Sequence, residues 1–147
     1  MDTGSRSGPL DAVPWERAAL VWMLMMLAES AHGIARDLFV APLIGDLRAR
    51  QIGLFVGSLI VLAIAWACAR WMGANTRRVQ IIVGFFWVAL TMVFEFSLGR
   101  AVGASWDRIL SDYNPLRGGW MLLGLLVVLC APMLAASVRA KRRKELS

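Results

Sequence analysis

The sequence predicts an all-α integral membrane protein, a bundle of four transmembrane helices. Hydrophobic residues make up 59% of the 147 residues and charged residues only 18%, a composition too apolar for an ordinary soluble domain. The charges lie between apolar runs, most of them long enough to cross a hydrocarbon core of about 30 Å. The partner that this pattern indicates is the lipid bilayer, and nucleic acid is not expected despite a net charge of +6.

The first predicted helix covers residues 18–36 and follows a leader of residues 1–17. Its uncharged part is short, because Glu29 and His32 interrupt the apolar run. A short run of this kind also occurs in cleaved signal peptides, and Ser30 would be a small residue near a cleavage point. The leader, however, mixes acidic residues with few arginines, which is a poor start for a signal peptide. Four spans are therefore predicted, provided that the polar face of the first helix points into protein.

The other three helices are predicted at residues 51–72, 79–98 and 118–138. The first of them is uncharged up to Arg70, which can extend from the helix end to the membrane surface, and the last is uncharged throughout. The middle one carries Glu95 near its far end. That acidic group lies within or near the membrane and therefore requires a structural or functional explanation.

Two connections are predicted to lie in the membrane interface. Residues 38–45 are apolar, broken by Pro42, and too short to cross. Residues 105–113 form an amphipathic pattern in which Ser105 is a suitable N-cap, so a short surface helix is expected.

Basic residues predict the orientation of the chain, because they collect beside spans on the cytoplasmic side. The side that holds both chain ends carries the larger group: Arg6, Arg17, Arg70, Arg77, Arg78, Arg139, Lys141, Arg142, Arg143 and Lys144. The other side carries Arg36, Arg48, Arg50, Arg100, Arg108 and Arg117. Both termini are thus expected in the cytoplasm of a bacterial cell with the spans in its inner membrane, and the basic tail of residues 139–147 is expected to contact anionic lipid.

The two halves of the chain align with each other at polar and glycine positions. The matched pairs are Glu29 with Glu95, Gly33 with Gly99, Asp46 with Asp112, and Gly53 with Gly119. This alignment predicts two tandem parallel helical hairpins, related by an axis close to the membrane normal. Chance similarity between apolar helices is the alternative.

A polar cluster is predicted in the outer half of the bundle. Its members are Glu29, His32, Arg36, Thr91, Glu95 and Arg100. Residues three, four and seven positions apart share one helix face, and a charged group facing lipid at a helix centre costs about 2.5 to 3.5 kcal/mol. Both glutamates are therefore predicted to face the bundle interior.

Three interpretations of this cluster remain open from the sequence. In the first, the glutamates pair with Arg36, Arg100 or His32 and fix the packing of the helices. In the second, they form a proton or ion path. The third is a metal site, suggested by the Glu-x-x-His spacing at Glu29 and His32. The second half offers Leu98 instead of another histidine, so no metal is predicted.

Further residues are assigned to the outer surface and to helix packing. The outer polar ring is predicted to contain Asp46, Arg48, Arg50, Asp112 and Arg117. Gly53 and Gly57 permit close approach of helices, either within the chain or in a homodimer or larger complex. No catalytic or cofactor-binding motif occurs, and no cofactor is predicted.

These observations predict a small, non-enzymatic inner-membrane protein, a structural or accessory subunit of a membrane complex. The alternative is a transporter or channel for an ion, a proton or a small solute that uses the Glu29 and Glu95 region.

Overall fold

The computed structural model describes residues 13–145, without the side chains of Arg117 and of residues 142–145. Most of the leader predicted at residues 1–17 therefore lies outside the described residues. From residue 13 to residue 145 the chain is almost entirely helical and contains no strand, which confirms the all-α class.

Six α-helices follow one another between residues 13 and 145. They are α1 (Trp15–Ala35), α2 (Ala41–Ile44), α3 (Asp46–Met72), α4 (Arg77–Ala101), α5 (Trp106–Ser111) and α6 (Met121–Glu145), with a π-helical turn at Arg36–Val40 and a 3₁₀ turn at Pro115–Arg117. Four stretches are long and apolar enough to cross a membrane, and they contain α1 with α2, then α3, α4 and α6. The four-helix membrane bundle is thus confirmed. We call the end where α1 begins the terminal end, and the opposite end the α5 end.

The predicted interfacial segment 38–45 is helical and continues the helix of the first span, and its place in the membrane interface stays a prediction. The helix does not stop before Pro42, because a π-helical turn at Arg36–Val40 absorbs the backbone hydrogen bond that a proline cannot make. Gly45, with φ of 86°, ends this helix, and α3 begins at the next residue. The charged segment before residue 51 is therefore the first part of α3 and not a loop.

The remaining helix boundaries also differ from the sequence-based ones. The Thr76 hydroxyl accepts a hydrogen bond from the backbone N–H of Val79 at 3.3 Å, so α4 begins at Arg77 with a side-chain cap. Its far end passes residue 98 and reaches Ala101. The last span begins at Met121 and not at residue 118, because the preceding residues form a 3₁₀ turn that ends at Gly118 with φ of 78°.

The four long helices form a ring in which α1 contacts α3, α3 contacts α6, α6 contacts α4, and α4 contacts α1. The two hairpins therefore lie side by side, with α1 next to α4 and α3 next to α6. A two-fold axis through the bundle centre would place the equivalent helices on opposite corners. The internal repeat stays a prediction, and this neighbour order does not follow such an axis.

Apolar side chains fill the terminal half and the middle of the bundle. The buried set includes Ala18, Val21, Met25, Val61, Ala65, Met72, Val79, Val83, Trp87, Val128, Ala131 and Ala135. Two buried polar groups in this region have partners: the Trp87 indole N–H donates to the Ala18 carbonyl at 2.8 Å, and the Gln80 amide donates to the Ala74 carbonyl at 3.0 Å. Many large apolar side chains face outward, as a bilayer environment requires.

Gly84 sets the distance between α4 and α6. A Cβ built at this position would overlap the backbone carbonyl of Leu129, so the two backbones touch here. Only a residue without a side chain fits this contact between the backbones of α4 and α6. On α6, Pro132 is also fully buried.

We predict that Gly84→Ala destabilises the bundle by about 1 to 3 kcal/mol, because the added methyl group meets backbone that cannot move aside. The matched control is Gly33→Ala in α1, where a Cβ meets nothing within 4 Å. That change should leave stability unaltered or raise it by up to about 1 kcal/mol through helix propensity. Unfolding in detergent micelles, followed by circular dichroism, measures both. Equal stability of the two variants would contradict the close contact.

Candidate functional site

The polar face of α1 lies on the glycine face of α3. A Cβ at Gly57 would lie 2.5 Å from Oε2 of Glu29, and a Cβ at Gly53 would lie 2.8 Å from Cδ of Arg36. Both glycines are buried. The Gly53 and Gly57 pair therefore makes room for charged side chains of the same chain, so this face is occupied without a second copy.

Glu29 is held loosely by its neighbours. The Nδ1 atom of His32 lies 3.7 Å from Oε2 of Glu29, which is longer than a hydrogen bond. The other carboxylate oxygen is buried and finds no hydrogen-bond partner among the described residues. No arginine pairs with this carboxylate in that part of the chain.

Glu95 is half-buried on α4. It lies within electrostatic range of Glu29, Asp112 and Arg36. None of the described side chains, a set that excludes Arg117 and residues 142–145, is placed to form an ion pair or hydrogen bond with it. Glu29, Glu95 and His32 together form what we call the carboxylate cluster, at the α5 end of the bundle.

The two arginines that one of the three interpretations paired with these glutamates have other partners. Arg36 pairs with its neighbour Asp37 through Nε at 2.9 Å and Nη2 at 2.8 Å. Arg100 donates to the Ala104 carbonyl at 2.9 Å and lies 5.3 Å from the centroid of a Trp106 ring. Each guanidinium therefore has a closer acceptor on its own stretch of chain than either glutamate.

Thr91 also has a different role from the predicted one. Its hydroxyl accepts a hydrogen bond from the Trp22 indole N–H at 3.1 Å, and the side chain is buried. It joins α1 to α4 one helical turn deeper than Glu95. The threonine is thus a packing contact beneath the cluster.

A closed ring of alternating charges lies at the α5 end. Arg50 pairs with Asp46 at 2.9 Å and also with Asp112. Arg108 pairs with Asp112 at 3.0 Å and lies 3.8 Å from Asp46. We call these four residues the aspartate–arginine ring. It connects the start of α3 to α5 and the residue that follows it.

The predicted outer ring contained three of these four residues. Arg48 is exposed and has no ion pair with the described residues, whereas Arg108, which was not predicted, belongs to the ring. The side chain of Arg117 lies outside the described residues. The spacing of four residues from Asp46 to Arg50, and again from Arg108 to Asp112, was the available signal, since residues four apart meet on a helix surface.

Tyr113 lies within electrostatic range of Asp112 in the ring and of Glu95 in the carboxylate cluster. Its ring stacks on Phe96 with a centroid distance of 5.6 Å and an interplanar angle of 11°. Its hydroxyl is buried and has no hydrogen-bond partner in the described part of the chain. Burial raises the pKa of this hydroxyl above its ordinary value, and the carboxylates of Glu95 and Asp112 raise it further. The only sequence signal for this contact was the helical pattern of apolar residues that includes Tyr113.

The basic residues at the terminal end contact α3. Arg139 donates to the carbonyls of Trp66 at 2.8 Å and Ala67 at 3.2 Å, and Arg17 donates to the Trp71 carbonyl at 2.9 Å. The Trp71 carbonyl lies in the last turn of α3, where carbonyls lack an intrahelical donor and a cation complements the helix dipole. The tail side chains of residues 142–145, predicted to contact anionic lipid, lie outside the described residues.

A metal centre has little basis in this geometry. Within residues 13–145 no three His, Cys, Asp or Glu side chains are grouped so that they could hold a metal ion. The Glu29 and His32 spacing therefore gains no further ligand from the fold.

We predict that Tyr113, the single tyrosine of the chain, ionises above the ordinary value of 10.0. Because the folded state holds this proton more tightly than the unfolded state, its contribution to stability is complete below pH 10 and is lost as pH rises through the folded pKa. The ultraviolet absorbance of the phenolate follows the titration. Asp112→Asn should bring the pKa closer to its ordinary value, whereas Asp37→Asn should not. Ionisation at the ordinary value in the wild-type protein would contradict the buried position.

Comparison with known proteins reveals no relative of this chain. No family model, curated protein or solved structure matches it. The chain is a four-helix membrane protein, and the carboxylate cluster and the aspartate–arginine ring are the features on which a functional proposal can rest.

Proposed function

We propose that the chain is a non-enzymatic accessory subunit of a membrane protein complex. The observation that carries this proposal is the closed apolar core between the carboxylate cluster and the terminal end. Met25, Val83 and Trp87 are completely buried in the middle of the bundle. A solute that reached the glutamates from the α5 end would meet this core and not a polar path.

The continuation of the first span supports a protein partner at the α5 end. The 21 residues of α1 alone extend about 31 Å, which already matches the hydrocarbon core. Phe39 and Leu43 follow α1, and they are 70% and 82% exposed. Lipid tails do not cover apolar side chains beyond the hydrocarbon core, whereas a neighbouring protein would.

The proposal includes the orientation given by the basic residues. We place residues 13 and 145 on the same side of the membrane, because four candidate spans return the chain to the side from which the first one starts. We place that side in the cytoplasm, and the membrane would be a bacterial inner membrane. The carboxylate cluster and the aspartate–arginine ring would then face the periplasm.

Transport of a proton or small cation is the second candidate. The unpaired state of Glu95 favours it, because a half-buried carboxylate without a partner is a typical ion-binding group in membrane proteins. The buried, unpartnered oxygen of Glu29 supports the same idea.

Flux measurements separate the two candidates. In proteoliposomes that contain a pH-sensitive dye and carry a potassium diffusion potential, we expect proton entry equal to that of protein-free vesicles. Glu29→Gln and Glu95→Gln should behave identically and remain folded, because neither change leaves an arginine without its partner. Proton entry well above background that either variant abolishes would instead establish transport.

Site-specific photo-crosslinking tests the accessory role. A photoreactive amino acid at position 39 or 43, in the membrane of origin, should give one discrete product with the same second protein. The matched control is position 59 in α3, which is 68% exposed and lies in the middle of its span, where lipid suffices. Products at all three positions, or lipid adducts alone, would contradict a partner at the α5 end.

A further inference from the structure

Two glycines with positive φ bracket the segment between α4 and α6. Gly103 has φ of 80° and Gly118 has φ of 78°, a conformation that other residues rarely adopt. We call residues 104–117 the α5 lid. At its far end the backbone N–H groups of Gly119 and Met121 donate to the carbonyls of Asn114 and Asp112, both at 3.0 Å. These bonds fix that end of the lid to the start of α6.

The lid is internally braced. The Ser105 hydroxyl accepts from the backbone N–H of Arg108 at 3.2 Å, and Asn114 Oδ1 accepts from the N–H of Leu116 at 3.0 Å. Such caps hold a short helix and turn in one shape. Opening would therefore swing α5 as a unit about its attachment to α6.

The closed lid lies on the α4 residues that surround Glu95. The Ile109 side chain is buried in contact with the Gly99 position, where a Cβ would lie only 3.0 Å from it. Tyr113 stacks on Phe96, the residue next to Glu95. The lid thus packs on the residue next to Glu95 and on the residue one helical turn beyond it toward the α5 end.

The aspartate–arginine ring is the polar link between the lid and α3. Arg108 and Asp112 belong to the lid, and Asp46 and Arg50 belong to α3. Ion pairs with partly exposed members are weak and are screened by salt. The lid also contacts α4 through the backbone N–H of Ala104, which donates to the Gly99 carbonyl at 2.9 Å, through the buried Ile109, through ring contacts to Phe96, and through the contacts of Arg100 with Ala104 and Trp106.

We propose that residues 104–117 form a hinged lid over Glu95, that the aspartate–arginine ring is its latch, and that breaking the ring exposes Glu95 to water at the α5 end. The proposal rests on the placement of the lid and is independent of whether the chain is an accessory subunit or a transporter.

Chemical labelling of Glu95 tests the lid in the full-length protein in nanodiscs. A water-soluble carbodiimide at fixed pH modifies accessible carboxyl groups, and peptide mass spectrometry reports each site. The exposed Glu16 at the terminal end serves as the internal reference for reagent activity. In the wild-type protein, the ratio of labelling at Glu95 to that at Glu16 should rise about fivefold between low and molar salt, as expected when weak ion pairs are screened.

A pair of arginine variants tests the latch itself. Arg108→Gln removes both ion pairs of one ring member, so at low salt it should raise the labelling ratio to the wild-type value at high salt. Arg48→Gln, which removes an arginine of the same membrane face that has no place in the ring, should leave the ratio unchanged.

Three results would overturn the proposal. Glu95 labelling as fast as that of Glu16 in wild-type protein at low salt would show that nothing covers it. A ratio that ignores salt would show that the ring is not a latch, and this measurement stands even if Arg108→Gln fails to fold. An equal rise in Arg48→Gln would assign the effect to the general surface charge.

Discussion

The absence of water inside the hydrocarbon layer is the constraint on which the rest of this structure depends. A polar group there must find its partner within the protein, since an unsatisfied one costs several kcal/mol. The bundle meets this demand with single, long-range hydrogen bonds, such as those from Trp87 to Ala18 and from Trp22 to Thr91. Each joins α1 to α4, two helices that otherwise make the least extensive contact in the ring. The hydrogen bonds therefore fix a contact that apolar packing alone would leave loose.

Charges are sorted along the membrane normal. The terminal half has an apolar core, most carboxylates lie at the α5 end, and arginines lie at both ends of the bundle. Glycines make this sorting possible, because Gly53 and Gly57 leave space beside α3 for Arg36 and Glu29. Gly84 serves the opposite purpose in the α4 and α6 contact, where it brings two backbones together. Glycine thus makes room for charged side chains between α1 and α3, and it permits close backbone contact between α4 and α6.

The sequence predicted the bundle well and the pairing of its charges poorly. Hydropathy is a property of whole segments, so the four spans could be located from composition alone. The partner of an arginine depends on which acceptors lie within a few ångströms of it. Arg36 binds Asp37 and Arg100 binds the Ala104 carbonyl, both of which are close in sequence. Arg108 entered the ring in place of Arg48 for the same reason. Proline is a local signal for the end of a helix, but the helix continues through Pro42 because a π-helical turn precedes it and accommodates the missing hydrogen bond.

The two hairpins differ in how their helices are joined. The first span and α3 meet at Gly45 alone, whereas α4 and α6 are separated by the whole α5 lid. A junction of one residue has almost no slack, so an axial displacement of α1 must carry α3 with it. The longer junction lets α4 and α6 shift against each other without stretching the chain. The two connections are therefore mechanically different, since the one between the first span and α3 is stiff and the one between α4 and α6 is flexible. A force applied at the α5 end would first change the position of α4 relative to α6.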